Sequence, residues 1–503
     1  VHRFERKGEV MIHSPARAAA LALVLGLPAV LQAQDARPVA FTNARILTLS
    51  GAPIERGTVV VREGRIEAVG ADATVPAGAR VVDMAGGTLM PGLVSSFSRA
   101  GFVAQPQAPQ PENPMGRRRG GQGGMPFPGG GGGGTANSPA TKVVERLDPY
   151  QKIFGELLRE GITSLALTPM GNGMPGQGAV LRPDGKNLAD LTADDDAFLF
   201  FAIARDSGVK KLFKENFDKA KKALEERKKP PAPPAPPAAA PAAAAKPEEK
   251  PKEEPKPGEQ PKPQPSPNPS PTPTPNPEPK PEPKPGQEPP KQEAKPAEAP
   301  KQEAPKPAPK DPNVEVLADL LDGKRRAILQ VGSAADLLHW FHALEKDVPF
   351  PRTIVVPSHD PSSGTVDVVV DKLKEMKCAV LLPPTLASLP RSRYLVHPAA
   401  KLHEAGIEVG FHLGERRDQV RAIFFQLMEL VRSGLPADVA LRGVTLVPAK
   451  ALGIDKQVGT IEVGKQANLL EFSGDPLDPA STLRGVWLGG RKVESDSKGA
   501  SGS

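Results

Sequence analysis

The chain has 503 residues, a formal net charge of +7, 61 prolines, one cysteine and 4% aromatic residues. A single cysteine, Cys378, excludes an intramolecular disulfide framework, and the apolar run 378–382 predicts a buried thiol. The positive charge does not mark a nucleic-acid partner. The lysines of 210–229 are interleaved with Glu215, Asp218, Glu225 and Glu226, so the segment reads as a solvated helix face.

Residues 1–34 read as an upstream extension followed by a secretory signal peptide. Met11 is the start, Arg17 the positive end, 18–30 the apolar core, and small residues surround Ala33. That core is too short to span a bilayer and no cysteine follows it for a lipid, so the expectation is a secreted or periplasmic protein with no membrane span. Segment 39–50 alternates as a strand, 57–70 reads as a hairpin across Glu63-Gly64, and 79–84 adds another strand. Short strands return at 459–463, 467–472 and 485–493. The two β-rich ends, 37–90 and 458–495, are therefore expected to meet in one composite β-sandwich, with 496–503 a flexible tail.

Between them, helical and strand patterns alternate. Helix 149–160 precedes strand 162–168, 314–321 precedes 327–331, 334–344 precedes 353–357, 366–376 precedes 378–382, and 399–405 precedes 407–413; helices 417–433 and 436–441 close the series. Repeated units of this kind imply parallel strands covered on both faces. From the residues alone, a closed barrel and an open doubly wound sheet both fit. Two irregular stretches interrupt the series. Residues 105–139 hold Arg117, Arg118, Arg119 and a glycine run, and 230–312 hold about half of the prolines among Ala, Lys, Glu and Gln. The latter is expected to be a disordered insertion of polyproline II character within one domain.

The run from Asp83 to Val94, DMAGGTLMPGLV, marks the passage between the two architectures. It resembles the start of the barrel in the amidohydrolase superfamily, in its imidazolonepropionase-like and dipeptidase-like branch. VPAKALGI, VGTIEVGKQANLLEFSGDPLD and VWLGGRKV are similar to that family's C-terminal sequence. The resemblance covers most of the ordered chain and implies an α/β fold: a (β/α)8 TIM barrel over 91–457, joined to the composite β-sandwich. The activity it implies is metal-dependent hydrolysis of a C–N bond in an amide, cyclic amide or dipeptide.

The same resemblance locates the metal ligands, and here the sequence departs from the pattern. Members continue PGLVDAHTH, with two histidines binding the metal; this chain has Phe97 and Arg99 in those places. The family's VHAH matches Leu329-Gln330-Val331-Gly332, His359 is the one remnant ligand, and Gly414 occupies the place of the last aspartate, with Glu415 beside it. Side chains of one strand face recur every second residue, so Phe97 and His412 are expected to fill the metal's volume. Arg99 is expected to supply positive charge there, paired with Glu415 or Asp360. No metal or other cofactor is then expected, and the leading expectation is a non-catalytic protein that binds a small ligand or a partner, as a homo-oligomer or paired with an intact paralogue. An alternative is a working hydrolase whose centre, with zinc or metal-free, is rebuilt from Arg99, His359, Asp360, His412 and Glu415. A third reading gives the proline-rich insertion a scaffold or adhesion role.

Other candidates carry less. Gly171-Asn172-Gly173-Met174-Pro175-Gly176 matches a dinucleotide fingerprint in form, but 177–181 reads as a strand where a helix is required. His339 and His342 read as part of a helix packed on the barrel, and His397 and His403 as surface residues. No Gly-x-Ser-x-Gly elbow is present.

Overall fold

A computed structural model describes residues 37–102, 135–203, 207–229, 310–344, 350–359 and 365–494. The expectations for 1–34, for most of 105–139 and 230–312, for Asp360 and for the tail 496–503 fall outside these residues.

The chain opens with β1 (Val39–Ile46), β2 (Ile54–Arg62), β3 (Arg65–Gly70), β4 (Arg80–Asp83) and β5 (Thr88–Pro91). β2 and β3 form the predicted hairpin, its two turn residues Glu63 and Gly64 both at positive φ (49° and 78°), the geometry that matches strand twist. Only Gly92 separates β5 from β6 (Leu93–Ser95). Its N–H donates to Asn468 O, while Leu93 N–H donates to Gly161 O, so a single residue hands the chain from one sheet to the next. A Cβ at Gly92 would lie 2.3 Å from Thr163 Oγ1 and 2.4 Å from Thr163 Cγ2, which leaves room for glycine only.

The second sheet continues with β7 (Thr135–Asn137), β8 (Ile162–Leu167), β9 (Asn172–Leu181), β10 (Thr192–Ala202), β11 (Ala327–Gln330), β12 (Arg352–Val355) and β13 (Ala379–Leu382). A small hairpin of β14 (Ala387–Ser388) and β15 (Leu395–Val396) precedes β16 (Val409–Phe411). The ladder runs β16-β13-β12-β11-β10-β9-β8-β6, with β7 beside β9. Its two end strands both bond to one segment: Phe411 N–H donates to Gly443 O at 2.7 Å and Val94 N–H to Val444 O at 3.0 Å. The sheet thus curls around an interior filled by Val94, Ala166, Val180, Phe198, Phe200, Ile328, Val355 and Leu381, packed with Val447 of the segment after Val444.

Helices α1 (Ile153–Arg159), α2 (Leu188–Leu191), α3 (Ser207–Lys228), α4 (Pro312–Leu321), α5 (Ala334–Leu344), α6 (Val370–Met376), α7 (Pro398–Glu404), α8 (Arg417–Arg421), α9 (Ile423–Arg432), α10 (Ala437–Arg442) and α11 (Leu446–Leu452) complete this part. The lysine-rich α3 has the solvated face expected of it, and a buried one of Val209, Phe213, Phe217 and Ala220. No helix among the described residues is long and apolar enough to cross a membrane.

Three expectations are corrected. The sheet is not wholly parallel: β9 runs antiparallel to both β8 and β10. Residues 168–171 are too few for a crossover, which takes a dozen or more, so the chain returns as a hairpin. The glycines of the apparent fingerprint lie in or next to β9, and no helix follows them. The helix predicted over 417–433 is two helices, α8 and α9, meeting at Ala422. The strand predicted over 459–463 is irregular, held to the N-terminal strands by Ile461 N–H on Thr48 O.

β17 (Asn468–Phe472), β18 (Leu483–Leu488) and β19 (Arg491–Lys492) return to the first sheet, whose order is β19-β18-β17-β5-β1-β2-β3, with β4 beside β1. The two chain ends therefore share one sheet, joined where β17 pairs antiparallel with β5. Phe41 and Trp487 meet edge to face at 4.8 Å in its core. Trp487 Nε1 donates to Glu471 at 2.9 Å, and Arg45 pairs with Asp475 at 2.8 Å.

Candidate functional site at the barrel mouth

Strand parity decides which side chains face the barrel axis at the C-terminal ends of the strands. Along β16, Val409, Phe411 and Leu413 pack outward against the helices, so His412 and Gly414 face inward. On β11, Ile328 is inward and Leu329 outward, which turns Gln330 inward; on β12, Val355 is inward, and His359, four residues beyond the strand end, comes near enough to His412 for their charges to interact. Phe97 packs onto the interior cluster. Its ring lies 6.2 Å from Phe200 and 6.0 Å from His412, centroid to centroid.

Phe97 and His412 are thus neighbours inside the barrel mouth. Of the pairings expected of Arg99, that with Glu415 is not made by the guanidinium, and that with Asp360 falls outside the described residues. The Arg99 guanidinium lies over the Phe97 ring at 5.7 Å, and its Nε is buried with no hydrogen-bond partner. Glu415 reaches Arg99 through the main chain, one carboxylate oxygen accepting the Arg99 N–H.

Gly414 has a neighbour the sequence reading missed. A Cβ there would lie 2.2 Å from Cβ and 2.8 Å from Oε1 of Gln419, so Gln419 occupies the space a side chain at 414 would need. The Gln419 carboxamide oxygen accepts from the N–H of Glu415 and of Arg416 at 3.1 and 3.2 Å, fixing the start of α8. The sequence held that signal: a glutamine three residues after a helix start is well placed to reach back to main-chain amides.

Both histidines are neutral at pH 7. Burial pushes His412 down to about 4, and it lowers His359 as well. Each Nε2–H donates to a main-chain carbonyl, His412 to Val356 O and His359 to Thr385 O, both at 3.2 Å. The Nδ1 lone pair of His359 is left buried without a partner, as are Ser96 Oγ, Thr168 Oγ1 and Gln330 Oε1. Such unpaired buried atoms are few in folded proteins, and here several gather at one end of one barrel.

Among the described residues, no three carboxylate, imidazole or thiolate groups converge at this mouth. The one cluster of three, Asp194, Asp195 and Asp196, lies at the opposite end of β10, where Lys142 holds Asp195 at 2.7 Å and Arg325 holds Asp196 at 3.0 Å. The remaining candidates are structural. His339 Nδ1 contacts Lys210 Nζ at 2.7 Å on the outside of α5. His397 caps α7, Nδ1 accepting from Ala400 N–H while Nε2 contacts Leu430 O. Burial raises the Cys378 thiol to about 11, which leaves it protonated and unreactive.

Comparison with known proteins bears on the fold as a whole. The amidohydrolase family model matches residues 388–493. An amidohydrolase from Thermotoga maritima MSB8 superposes with a TM-score of 0.62 at 20% identity, over 91% of this chain and 99% of that one. A molinate hydrolase (14% identity, 93% and 96% covered, TM-score 0.45) and a prolidase complexed with N-methylphosphonate-L-proline (14%, 91% and 99%, 0.43) overlap more loosely.

Proposed function

We propose, taking as premise that this chain is a member of the amidohydrolase superfamily, that its barrel mouth is a metal-free site that binds a small ligand without hydrolysing it. One observation carries the reading: the positions matching the family's metal ligands are refilled. A phenylalanine ring, a cation and a carboxamide stand at 97, 99 and 330, and Gln419 fills the space beside Gly414. His359 and His412 each use Nε2 on a main-chain carbonyl. A catalytic metal needs three or more convergent donors and an open position for water. This donor set does not fit one, so no step is routed through a metal. What the mouth retains is a set of buried polar atoms awaiting partners, which suits recognition better than chemistry. On the reading of residues 11–34 as an export signal, the ligand is met outside the cytoplasm.

The test is hydrolysis. The mature protein, incubated with zinc or manganese and presented with amides, cyclic amides and dipeptides, is expected to show no turnover above buffer. Turnover abolished by His359→Ala or His412→Ala would overturn the proposal in favour of a rebuilt centre.

A further inference from the structure

We propose that the ligand of the barrel mouth is a small carboxylic acid that also carries a hydroxyl or N–H, with its carboxylate anchored on Arg99. This rests on the reading of the mouth as a metal-free binding site and specifies what it binds.

The charge argument comes first. Arg99 makes no ion pair among the described residues, its Nε is buried without a hydrogen bond, and its guanidinium carbon lies 5.7 Å from the centre of the Phe97 ring. Glu415, the carboxylate in contact with this residue, is engaged by the Arg99 main-chain N–H. A guanidinium with an unpaired, buried edge nitrogen can take a carboxylate, whose two oxygens match that edge. The same carboxylate of Glu415 disfavours a dianion such as phosphate, because only one cation is at hand.

The remaining unpartnered atoms define the other half of the ligand. Gln330 Oε1 is an acceptor, and His359 Nδ1 is one too, because its Nε2–H is committed to Thr385 O. Two buried acceptors without partners, each at or just beyond the C-terminal end of a strand of one sheet, call for a donor, which a simple fatty acid lacks and a hydroxy or amino acid supplies. Ser96 Oγ adapts to either role.

Ligand-detected NMR titration of the full mature chain with DL-lactate, propionate, lactamide and inorganic phosphate tests this. Lactate is expected to bind at least about tenfold more tightly than lactamide and phosphate, and more tightly than propionate. Arg99→Gln is expected to remove most of the lactate affinity while leaving lactamide unchanged, and Arg99→Lys to restore part of it. The comparison of lactate with lactamide uses the unaltered protein, so the proposal stays testable if a variant fails to fold. Equal binding of lactate and lactamide, tighter binding of phosphate, no saturable lactate binding, or a folded Arg99→Gln protein with unchanged lactate affinity would each overturn the inference. None of these outcomes touches the metal-free reading, which falls only on metal-dependent turnover.

Discussion

His412 shows how one residue ties the site to stability. In the fold burial pushes its imidazole down to about 4, while in the unfolded chain it titrates near the ordinary value of 6.5. Between those values the unfolded chain binds the extra proton. The neutral ring's contribution is therefore fully present above about pH 6.5 and is lost as pH falls toward 4, by up to about 3 kcal/mol at about 1.4 kcal/mol per unit. His359, also lowered by burial, acts in the same direction. Urea denaturation is expected to show a lower midpoint at about pH 5.5 than at about pH 7.5, with a flatter dependence in His412→Gln. An NMR titration of the His412 ring centred near 6.5 would contradict this. At this scale the sequence was half legible. Strand parity foresaw His412, which alternates with the outward Phe411 and Leu413, whereas Phe97 is out of step with the inward Val94 and turns inward beyond the strand end at Ser95. Parity did not foresee that Glu415 would take the Arg99 main-chain N–H, or that Gln419 would fill the space beside Gly414, since both depend on how a loop closes.

Among the elements, the junction of β5 and β6 is the most constrained. Gly92 passes so close to Thr163 that Gly92→Ala must move one strand or the other, at a cost of about 1–3 kcal/mol. Thr163→Ala removes the two nearest atoms and is expected to recover part of that loss, so a double-mutant cycle by chemical denaturation should show coupling between the two sites. Additive effects would place the strain elsewhere. Most helices and strands could be read from periodicity because their buried faces are continuous, as in α5, which spans the predicted residues. The misreadings have local causes. β9 reverses because four residues cannot make a crossover, the 417–433 pattern conceals a break at Ala422, and the glycine turn at 459 leaves no room for a ladder.

For the molecule as a whole, the first and last segments of the chain complete one another. β17 supplies the partner of β5, and Trp487 packs on Phe41 from the other end of the sequence. Trp487→Ala is expected to cost about 3–5 kcal/mol, and the loss should be seen in unfolding of the whole described structure, because β5 leads directly into the barrel through Gly92. A truncated or Trp487→Ala chain in which the barrel melts at an unchanged midpoint would show the two sheets to be independent. This joining of the ends was legible from the β-rich patterns at both termini, whereas closure of the barrel on the peptide pair Gly443–Val444 had no sequence signature.

The central claim is that the mouth has exchanged a metal for a ring, a cation and an amide. Elemental analysis for transition metals on the purified protein, before and after incubation with zinc and manganese, addresses it directly. The account predicts no stoichiometric metal in either sample. Near-stoichiometric metal that disappears when His359 or His412 is replaced would contradict it.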